Sequence, residues 1–257
     1  MPVDLKDLDR REFLERSVCG VLGAGFLTVL SAWDTLLAAS ETGAYDPTQH
    51  RYGMGINVQA CIGCGRCVAA CKRENNIPAE PFYFRTWVER YTILTNGDTV
   101  VASPNGGAEG FPPNTSEGQI LRSFFVPKLC NHCRKPPCVQ VCPVGATFTT
   151  RDGVVLVDRD YCIGCRYCIQ ACPYGARFLD PRTKTAEKCT FCYHRLSRGL
   201  LPACVEACPT RARIFGDTHL RNSPLTRFFR FNEIQVLKPY LNTDPQVFYA
   251  RLDGVVR

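Results

Sequence analysis

Apolar and polar residues alternate along the segment from Phe82 to Tyr91, a two-residue period that is typical of a β-strand. A loop rich in Gly, Pro and Asn follows from Asn96 to Gly118, and a second apolar stretch runs from Ile120 to Val126. The pattern predicts a β-hairpin within an insertion that spans residues 72–129. This hairpin either covers a functional site, contacts a partner, or is a plain surface hairpin.

Two later segments carry weaker patterns. Asp152-Gly153 followed by Val-Val-Leu-Val predicts a turn and a short strand that leads into Cys162. The chain after Gly216 is aromatic and basic, most clearly from Arg227 to Phe231. We expect an irregular C-terminal tail that wraps around the outside of the protein or docks a subunit.

The longest uncharged run lies near the N-terminus, from Ser17 to Trp33, and follows the pair Arg10-Arg11. A charged start, a short apolar region and a small-residue stretch at residues 37–40 together indicate a twin-arginine export signal. The alternative is an ordinary amphipathic helix. Since this run is rich in glycine and no other apolar stretch approaches ~18 residues, we expect no membrane span in the mature chain.

Composition narrows the class of protein. The 257 residues are 45% hydrophobic, which excludes a disordered chain, and 17 of them are cysteines. Removing residues 1–40 takes away four of 31 basic and six of 24 acidic side chains, which leaves 27 and 18 and a formal charge of +9. Metal centres with several thiolate ligands are anionic, so this excess is better explained as counter-charge for cofactors bound by the cysteines than as a nucleic-acid surface.

The cysteines, apart from Cys19, form four blocks of the pattern C-x2-C-xn-C-x3-C, in which n is 2, 4, 2 and 11. The blocks are, in order, Cys61, Cys64, Cys67 and Cys71; Cys130, Cys133, Cys138 and Cys142; Cys162, Cys165, Cys168 and Cys172; and Cys189, Cys192, Cys204 and Cys208. Closely spaced cysteines on one loop can place thiolates on three irons of a cubane, and Gly63 and Gly164 let the backbone approach it. The pattern therefore predicts four [4Fe–4S] clusters.

Disulfides and zinc sites are the alternatives to clusters. Three cysteines in C-x2-C-x2-C are too tightly spaced for good disulfide bridges. Zinc sites use C-x2-C pairs separated by longer gaps, without the third close cysteine or the Pro that follows Cys142, Cys172 and Cys208. We therefore favour the cluster interpretation.

The last cysteine of each block is expected to bind a different cluster from the first three. The x3 step places it one helical turn beyond the loop, and in two-cluster ferredoxins this cysteine ligates the other cluster. The predicted ligand sets are Cys130, Cys133, Cys138 with Cys172; Cys162, Cys165, Cys168 with Cys142; Cys61, Cys64, Cys67 with Cys208; and Cys189, Cys192, Cys204 with Cys71. This nested pairing predicts four clusters in a row.

An internal repeat sets the expected organisation. Cys-Pro-x-x-Ala recurs at residues 142–146, 172–176 and 208–212. We predict an α+β fold of two fused ferredoxin-like modules with the hairpin insertion. The divisions are a signal at 1–40, the first motif with its insertion at 41–129, a central two-cluster module at 130–180, the fourth motif at 181–215 and the tail at 216–257.

Few other residues point to chemistry. His132 and His194 lie beside cluster cysteines and either tune the cluster potential or simply fill space. We find no nucleophile motif, phosphate loop or acid–base pair. The sequence therefore predicts an electron-transfer protein without catalytic residues.

The four blocks resemble the polyferredoxin subunits of bacterial membrane oxidoreductases, such as the dimethyl sulfoxide, polysulfide and tetrathionate reductases, hydrogenase-2 and the nitrite reductase system. Arg85–Tyr91, Phe125–Cys130, the twin-arginine leader and the lack of an apolar C-terminal stretch are most similar to the exported iron–sulfur subunit of the sulfite-reduction-associated complex. This resemblance implies a polytopic quinone-binding membrane subunit of the polysulfide-reductase type and a cytochrome c or catalytic subunit as partners, in the periplasm. An independent soluble polyferredoxin shuttle is the alternative.

Overall fold

The computed structural model describes residues 45–80, 82–113 and 120–256. The predicted export signal at residues 1–40 and Cys19 lie outside the described residues. Within the described ranges, no helix has the length and apolar character needed to cross a membrane. The strands are β1 (Tyr52–Asn57), β2 (Thr86–Leu94), β3 (Thr99–Ala102), β4 (Ile120–Leu129), β5 (Thr147–Thr149), β6 (Val155–Val157), β7 (Arg177–Leu179), β8 (Ala186–Lys188), β9 (Arg213–Asp217), β10 (Ile234–Gln235) and β11 (Val247–Ala250).

The helices are short, with two exceptions. They are α1 (Arg66–Glu74), α2 (Pro137–Gln140), α3 (Tyr167–Gln170), α4 (Tyr193–Leu196), α5 (Ala203–Glu206) and α6 (Pro224–Phe231), with 3₁₀ turns at Pro47–Gln49, Pro104–Gly107 and Pro239–Leu241. Helices α1, α2, α3 and α5 each begin within a cysteine block and contain its third cysteine. A helix therefore begins one residue before the third cysteine of each block.

The C-terminal tail is not irregular, and this prediction was wrong. Strands β10, β11, β1 and β9 form one sheet in that order, in which β11 runs parallel to β1 with Met54 opposite Val247. Helix α6, capped by Ser223, packs on the same sheet because Gly53 and Gly55 of β1 have no side chain there. A Cβ at Gly55 would lie 2.7 Å from the ring of Phe228, so the tail is part of the core.

The two strands predicted for the insertion pair antiparallel as β2 and β4, and β3 on the other side of β2 makes a three-stranded sheet ordered β3-β2-β4. Strand β2 begins at Thr86, since Phe82 has a positive φ of 80° and is exposed. The segment expected to be a loop contains a tight turn at Asn96–Asp98, in which Asn96 Oδ1 accepts a hydrogen bond from the Asp98 amide at 3.0 Å, and then β3. The additional strand was missed because it is only four residues long and largely exposed.

Two small hairpins, β5–β6 and β7–β8, follow the second and third cysteine blocks. Strand β6 lies where the Asp152–Asp158 pattern predicted one. In each Cys-Pro-x-x-Ala repeat the fourth residue has a positive φ, namely Gly145 (68°), Gly175 (61°) and Arg211 (54°). The repeat is therefore a recurring local geometry within the chain, a turn that leads from the last cysteine of a block into a strand.

Candidate iron–sulfur site

All four cysteine loops share one backbone feature. The residue before the second cysteine has a positive φ in each block: Gly63 (68°), His132 (42°), Gly164 (69°) and Phe191 (52°). Glycine adopts this conformation at little cost, whereas His and Phe adopt it only when the surroundings hold them there. His132 and Phe191 are buried and stack on each other with ring centroids 3.7 Å apart.

This stacking defines the role of His132. Its Nδ1 accepts a hydrogen bond from the Val155 amide at 3.1 Å, and burial holds its pKa well below the usual range. A neutral ring therefore packs the second block against the fourth. His194 instead lies near the surface, where its Nε2 is 2.8 Å from Glu74 Oε1 and joins the fourth block to α1.

Two enclosed cavities each bring together cysteines from two blocks. Cys130, Cys133, Cys138 and Cys172 line one of them. Cys71, Cys189, Cys192 and Cys204 line the other. Each set contains three cysteines of one block and the last cysteine of another.

The remaining eight cysteines are Cys61, Cys64, Cys67, Cys142, Cys162, Cys165, Cys168 and Cys208. Cys61 lies near Cys67 and Cys208. Its pKa rises to about 11, mainly because the thiol is buried and to a smaller extent because these two thiolates are close. Cys162 accepts a hydrogen bond from the Ala186 amide at 3.4 Å, and Cys142 accepts one from the Thr147 amide at 3.5 Å. The grouping of Cys142 with Cys162, Cys165 and Cys168 stays a prediction.

The donor set fits a multi-iron centre. None of the sixteen cysteines of the described residues forms a disulfide. Burial, followed by the neighbouring cysteines, raises the pKa of Cys71 and Cys189, the latter to about 12. Four thiolates in one buried cavity repel one another, and bound metal ions favour their deprotonation, as either zinc or a cubane would supply.

Buried basic side chains lie against these sulfurs. Arg177 Nη2 is 3.1 Å from Cys138 Sγ, and Arg213 Nη1 is 3.9 Å from Cys204 Sγ. Lys188, which is 1% exposed, donates through Nζ to the Cys189 carbonyl at 2.5 Å. In the part of the chain that the structure describes, none of the three forms an ion pair with a carboxylate, and the Nε atoms of both arginines have no partner. Unpaired buried cations are costly unless an anion faces them, and a cluster with thiolate ligands is such an anion.

Sequence reasoning missed these three cations, although a signal for two of them exists. Arg177 and Arg213 each follow the Ala of a Cys-Pro-x-x-Ala repeat, so the repeat extends by one residue in two of its three copies. Both are the first residue of a strand, β7 and β9. The same turn that places the last cysteine therefore also directs an arginine toward the neighbouring sulfurs.

Comparison with known proteins identifies the centre. Two family models, each described as a 4Fe-4S dicluster domain, match residues 60–146 and 121–218. A tetrathionate reductase subunit of Salmonella typhimurium is 44% identical over 250 residues, which are 96% of this chain and 90% of that protein. A putative dimethyl sulfoxide reductase iron-sulfur subunit of Halobacterium salinarum is 40% identical over 77% of this chain and 78% of its own length. ArrB, the arsenate respiratory reductase iron-sulfur subunit of a Shewanella species, is 33% identical over 80% of this chain and 98% of its own length.

These matches confirm the cofactor and the general function. Two dicluster domains hold four clusters, and the sixteen cysteines of the described residues suffice to bind them. The chain carries four [4Fe–4S] clusters and transfers electrons rather than turning over a substrate. Its similarity to the sulfite-reduction-associated subunit stays a prediction. The chain belongs to the family of four-cluster polyferredoxin subunits of oxidoreductases.

Proposed function

We propose that this chain is the electron-transfer subunit of a membrane-bound oxidoreductase and that it relays electrons along four [4Fe–4S] clusters in a row. The observation that carries the proposal is the lining of two enclosed cavities by cysteines of different blocks. When bound, each cluster accepts and releases one electron. The protein supplies thiolate ligands, backbone amides that donate to sulfur, and buried cations that balance the negative charge.

The proposed ligand sets follow the nested pairing. Four sets of cysteines each hold one cluster: Cys61, Cys64, Cys67 and Cys208; Cys189, Cys192, Cys204 and Cys71; Cys130, Cys133, Cys138 and Cys172; and Cys162, Cys165, Cys168 and Cys142. Support comes from the two cavities and from the closeness of Cys61 to Cys208. The domain division at residues 40, 129, 180 and 215 stays a prediction; residue 215 lies within β9, and residue 180 lies between the paired strands β7 and β8.

The buried cations support an order for the four clusters. Burial disfavours the charge of Arg213, but the nearby thiolates of Cys67, Cys204 and Cys61 raise its pKa. Arg213 therefore lies between the set that contains Cys61 and the set that contains Cys204. Lys188 lies near both Cys130 and Cys189, between the second and third sets. Arg177 lies near Cys138, Cys130 and Cys168, between the third and fourth. In this proposal one cation separates each cluster from the next.

The proposed setting is the periplasmic face of the cytoplasmic membrane. The supporting observations are the Arg10-Arg11 leader pattern and the relatives named as reductase subunits. One end of the row would exchange electrons with a quinone-binding membrane subunit of the polysulfide-reductase type. The other end would meet a cytochrome c or a catalytic subunit.

Two measurements test the proposal. Purified mature protein should contain about 16 iron and about 16 acid-labile sulfide per chain, four of each per cluster. About four zinc without sulfide would end the cluster assignment. Affinity purification of the tagged chain from membranes should bring down a polytopic membrane protein, whereas recovery of the loaded chain alone from the soluble fraction would favour a shuttle.

A further inference from the structure

Asn75, which follows helix α1, points its side-chain amide at two cluster cysteines. Its Nδ2 lies 3.6 Å from Cys71 Sγ and 3.7 Å from Cys192 Sγ, and it also donates to the Cys71 carbonyl at 3.0 Å. Cys71 belongs to the first block and Cys192 to the fourth, and both line the cavity that Cys189 and Cys204 also line. One amide group therefore faces two sulfurs of the same proposed ligand set.

Arg85 fixes which end of the amide faces the sulfurs. Its Nη1 donates to Asn75 Oδ1 at 2.8 Å. Because a guanidinium can only donate hydrogen bonds, the amide oxygen must face Arg85 and the NH₂ group must face the cysteines. The hydrogen bond from Arg85 therefore determines which of the two amide orientations Asn75 adopts.

Arg85 is itself held rigidly. Its Nε and Nη2 donate to Glu187 Oε2 at 3.1 and 2.6 Å, and its Nη1 also donates to Thr190 Oγ1 at 3.1 Å. Arg85 and Glu187 are 7% and 5% exposed, and Glu187 also pairs with Arg159 at 2.6 Å. Arg85 is therefore held by Glu187 and Thr190 and shares the charge of Glu187 with Arg159, and we assign it the role of orienting Asn75.

Asn75, Arg85 and Thr190 also form the wall between this cavity and the surface. All three line both the cysteine cavity and a wide polar cleft that includes Arg159 and Asp160. The hydrogen bond from Nδ2 to sulfur is made on the inner side of this wall, where little water competes for the donor. A donor in such surroundings acts more strongly on a nearby charge than one in water.

We propose that Asn75 is a positioning residue that raises the reduction potential of the cluster held by Cys71, Cys189, Cys192 and Cys204, and that Arg85 keeps its amide in the donating orientation. Reduction adds negative charge to the cluster and its sulfurs, so a donor aimed at two sulfurs stabilises the reduced state more than the oxidised state. The inference rests on the proposed ligand sets. It also gives a role to Arg85, the first residue of the Arg85–Tyr91 segment.

The test is a redox titration of the loaded protein, followed by electron paramagnetic resonance. Asn75→Leu keeps the side chain near its original size and removes the donor. We expect the reduction potential of one of the four clusters to fall by about 59 mV, which is about a tenfold change in the equilibrium constant of a one-electron reduction. The other three clusters should be unmoved and act as internal references. The exposed Asn222 offers a matched control, and Asn222→Leu should shift none of them.

A second variant tests the orienting role. The double substitution Arg85→Met with Glu187→Gln leaves the net charge unchanged and retains an acceptor for Arg159. Nothing then fixes the amide of Asn75. The reduction potential of the same cluster should therefore fall although Asn75 is present. Iron content is measured for every variant, so that a missing cluster is not mistaken for a shifted one.

The outcomes separate this inference from the proposed function. Unchanged or higher potentials in Asn75→Leu at about 16 iron per chain would overturn the role of Asn75 and leave the cluster assignment intact. Loss of about four iron from both Asn75→Leu and the Arg85→Met, Glu187→Gln double variant would also overturn the role of Asn75. Asn75 would then be needed only to hold the site together. If the unaltered chain itself bound no iron, the proposed function would fail first.

Discussion

Replacement of the buried Arg177 by Met should lower the reduction potentials of two neighbouring clusters by different amounts. The guanidinium lies 3.1 Å from Cys138 Sγ through Nη2 and donates through Nη1 to Thr147 Oγ1 at 3.2 Å. The Thr147 amide in turn donates to Cys142 Sγ at 3.5 Å. Arg177 therefore lies between the set that contains Cys138 and the set that contains Cys142.

The expected size follows from Coulomb's law. The added electron of a reduced cluster is spread over its core, so we place it about 6.5 Å from the charge of Arg177 on the Cys138 side. With an effective dielectric constant of about 20, this separation gives about 2.5 kcal/mol, or about 110 mV at about 59 mV per tenfold change. For the cluster on the Cys142 side we take a separation of about 10 Å from the charge of Arg177. Its reduction potential should then fall by about 70 mV, which corresponds to about 1.7 kcal/mol.

A redox titration of the loaded protein measures both shifts. Arg177→Lys keeps the charge and should give much smaller changes, which separates the effect of charge from that of lost hydrogen bonds. Arg182 is half-exposed and paired with Asp180 at 2.9 Å, so Arg182→Met should leave all four potentials within a few tens of millivolts. Unchanged potentials in a fully loaded Arg177→Met protein would refute the view that buried cations compensate cluster charge.

Three further predictions concern ligation, folding and export. Cys71→Ser and Cys189→Ser should each remove one cluster, about four iron, and the double variant should also lose about four, because both cysteines belong to one cluster; a loss of about eight would separate them. Protein stripped of iron by a chelator should lack a cooperative thermal transition that the loaded protein shows, since the cysteine loops line much of the interior; a sharp apo transition would contradict this. Arg10→Lys with Arg11→Lys should leave loaded protein in the cytoplasm, as measured by cell fractionation, and normal export of this variant would exclude the twin-arginine route.

The cluster motifs were predictable because their geometry is local. The spacing in the first three blocks keeps three thiolates within nine residues of sequence, and Gly63 and Gly164 indicate where the backbone must turn. The same turn at His132 and Phe191 was not predictable, since neither residue type favours a positive φ. Those two positions depend on a stacking contact between blocks 59 residues apart in the sequence.

Two of the missed features depend on long-range contacts, unlike the short strand β3, which pairs with the neighbouring β2. Strand β11 is only four residues long and becomes regular by pairing with β1, which lies almost 200 residues earlier. The amide of Asn75 reaches Cys192 across 117 positions of sequence. A pattern within one segment cannot show which distant segment will cover it, so the tail and the surroundings of the sulfurs required the structure.

The most direct test of the nested arrangement is a crystal structure of the loaded protein with anomalous diffraction at the iron edge. We predict four compact iron peaks in a row, with Cys71 Sγ on the cluster of Cys189, Cys192 and Cys204, and with Cys142 Sγ on the cluster of Cys162, Cys165 and Cys168. A map that places Cys142 Sγ on the same cluster as Cys130 would contradict the account.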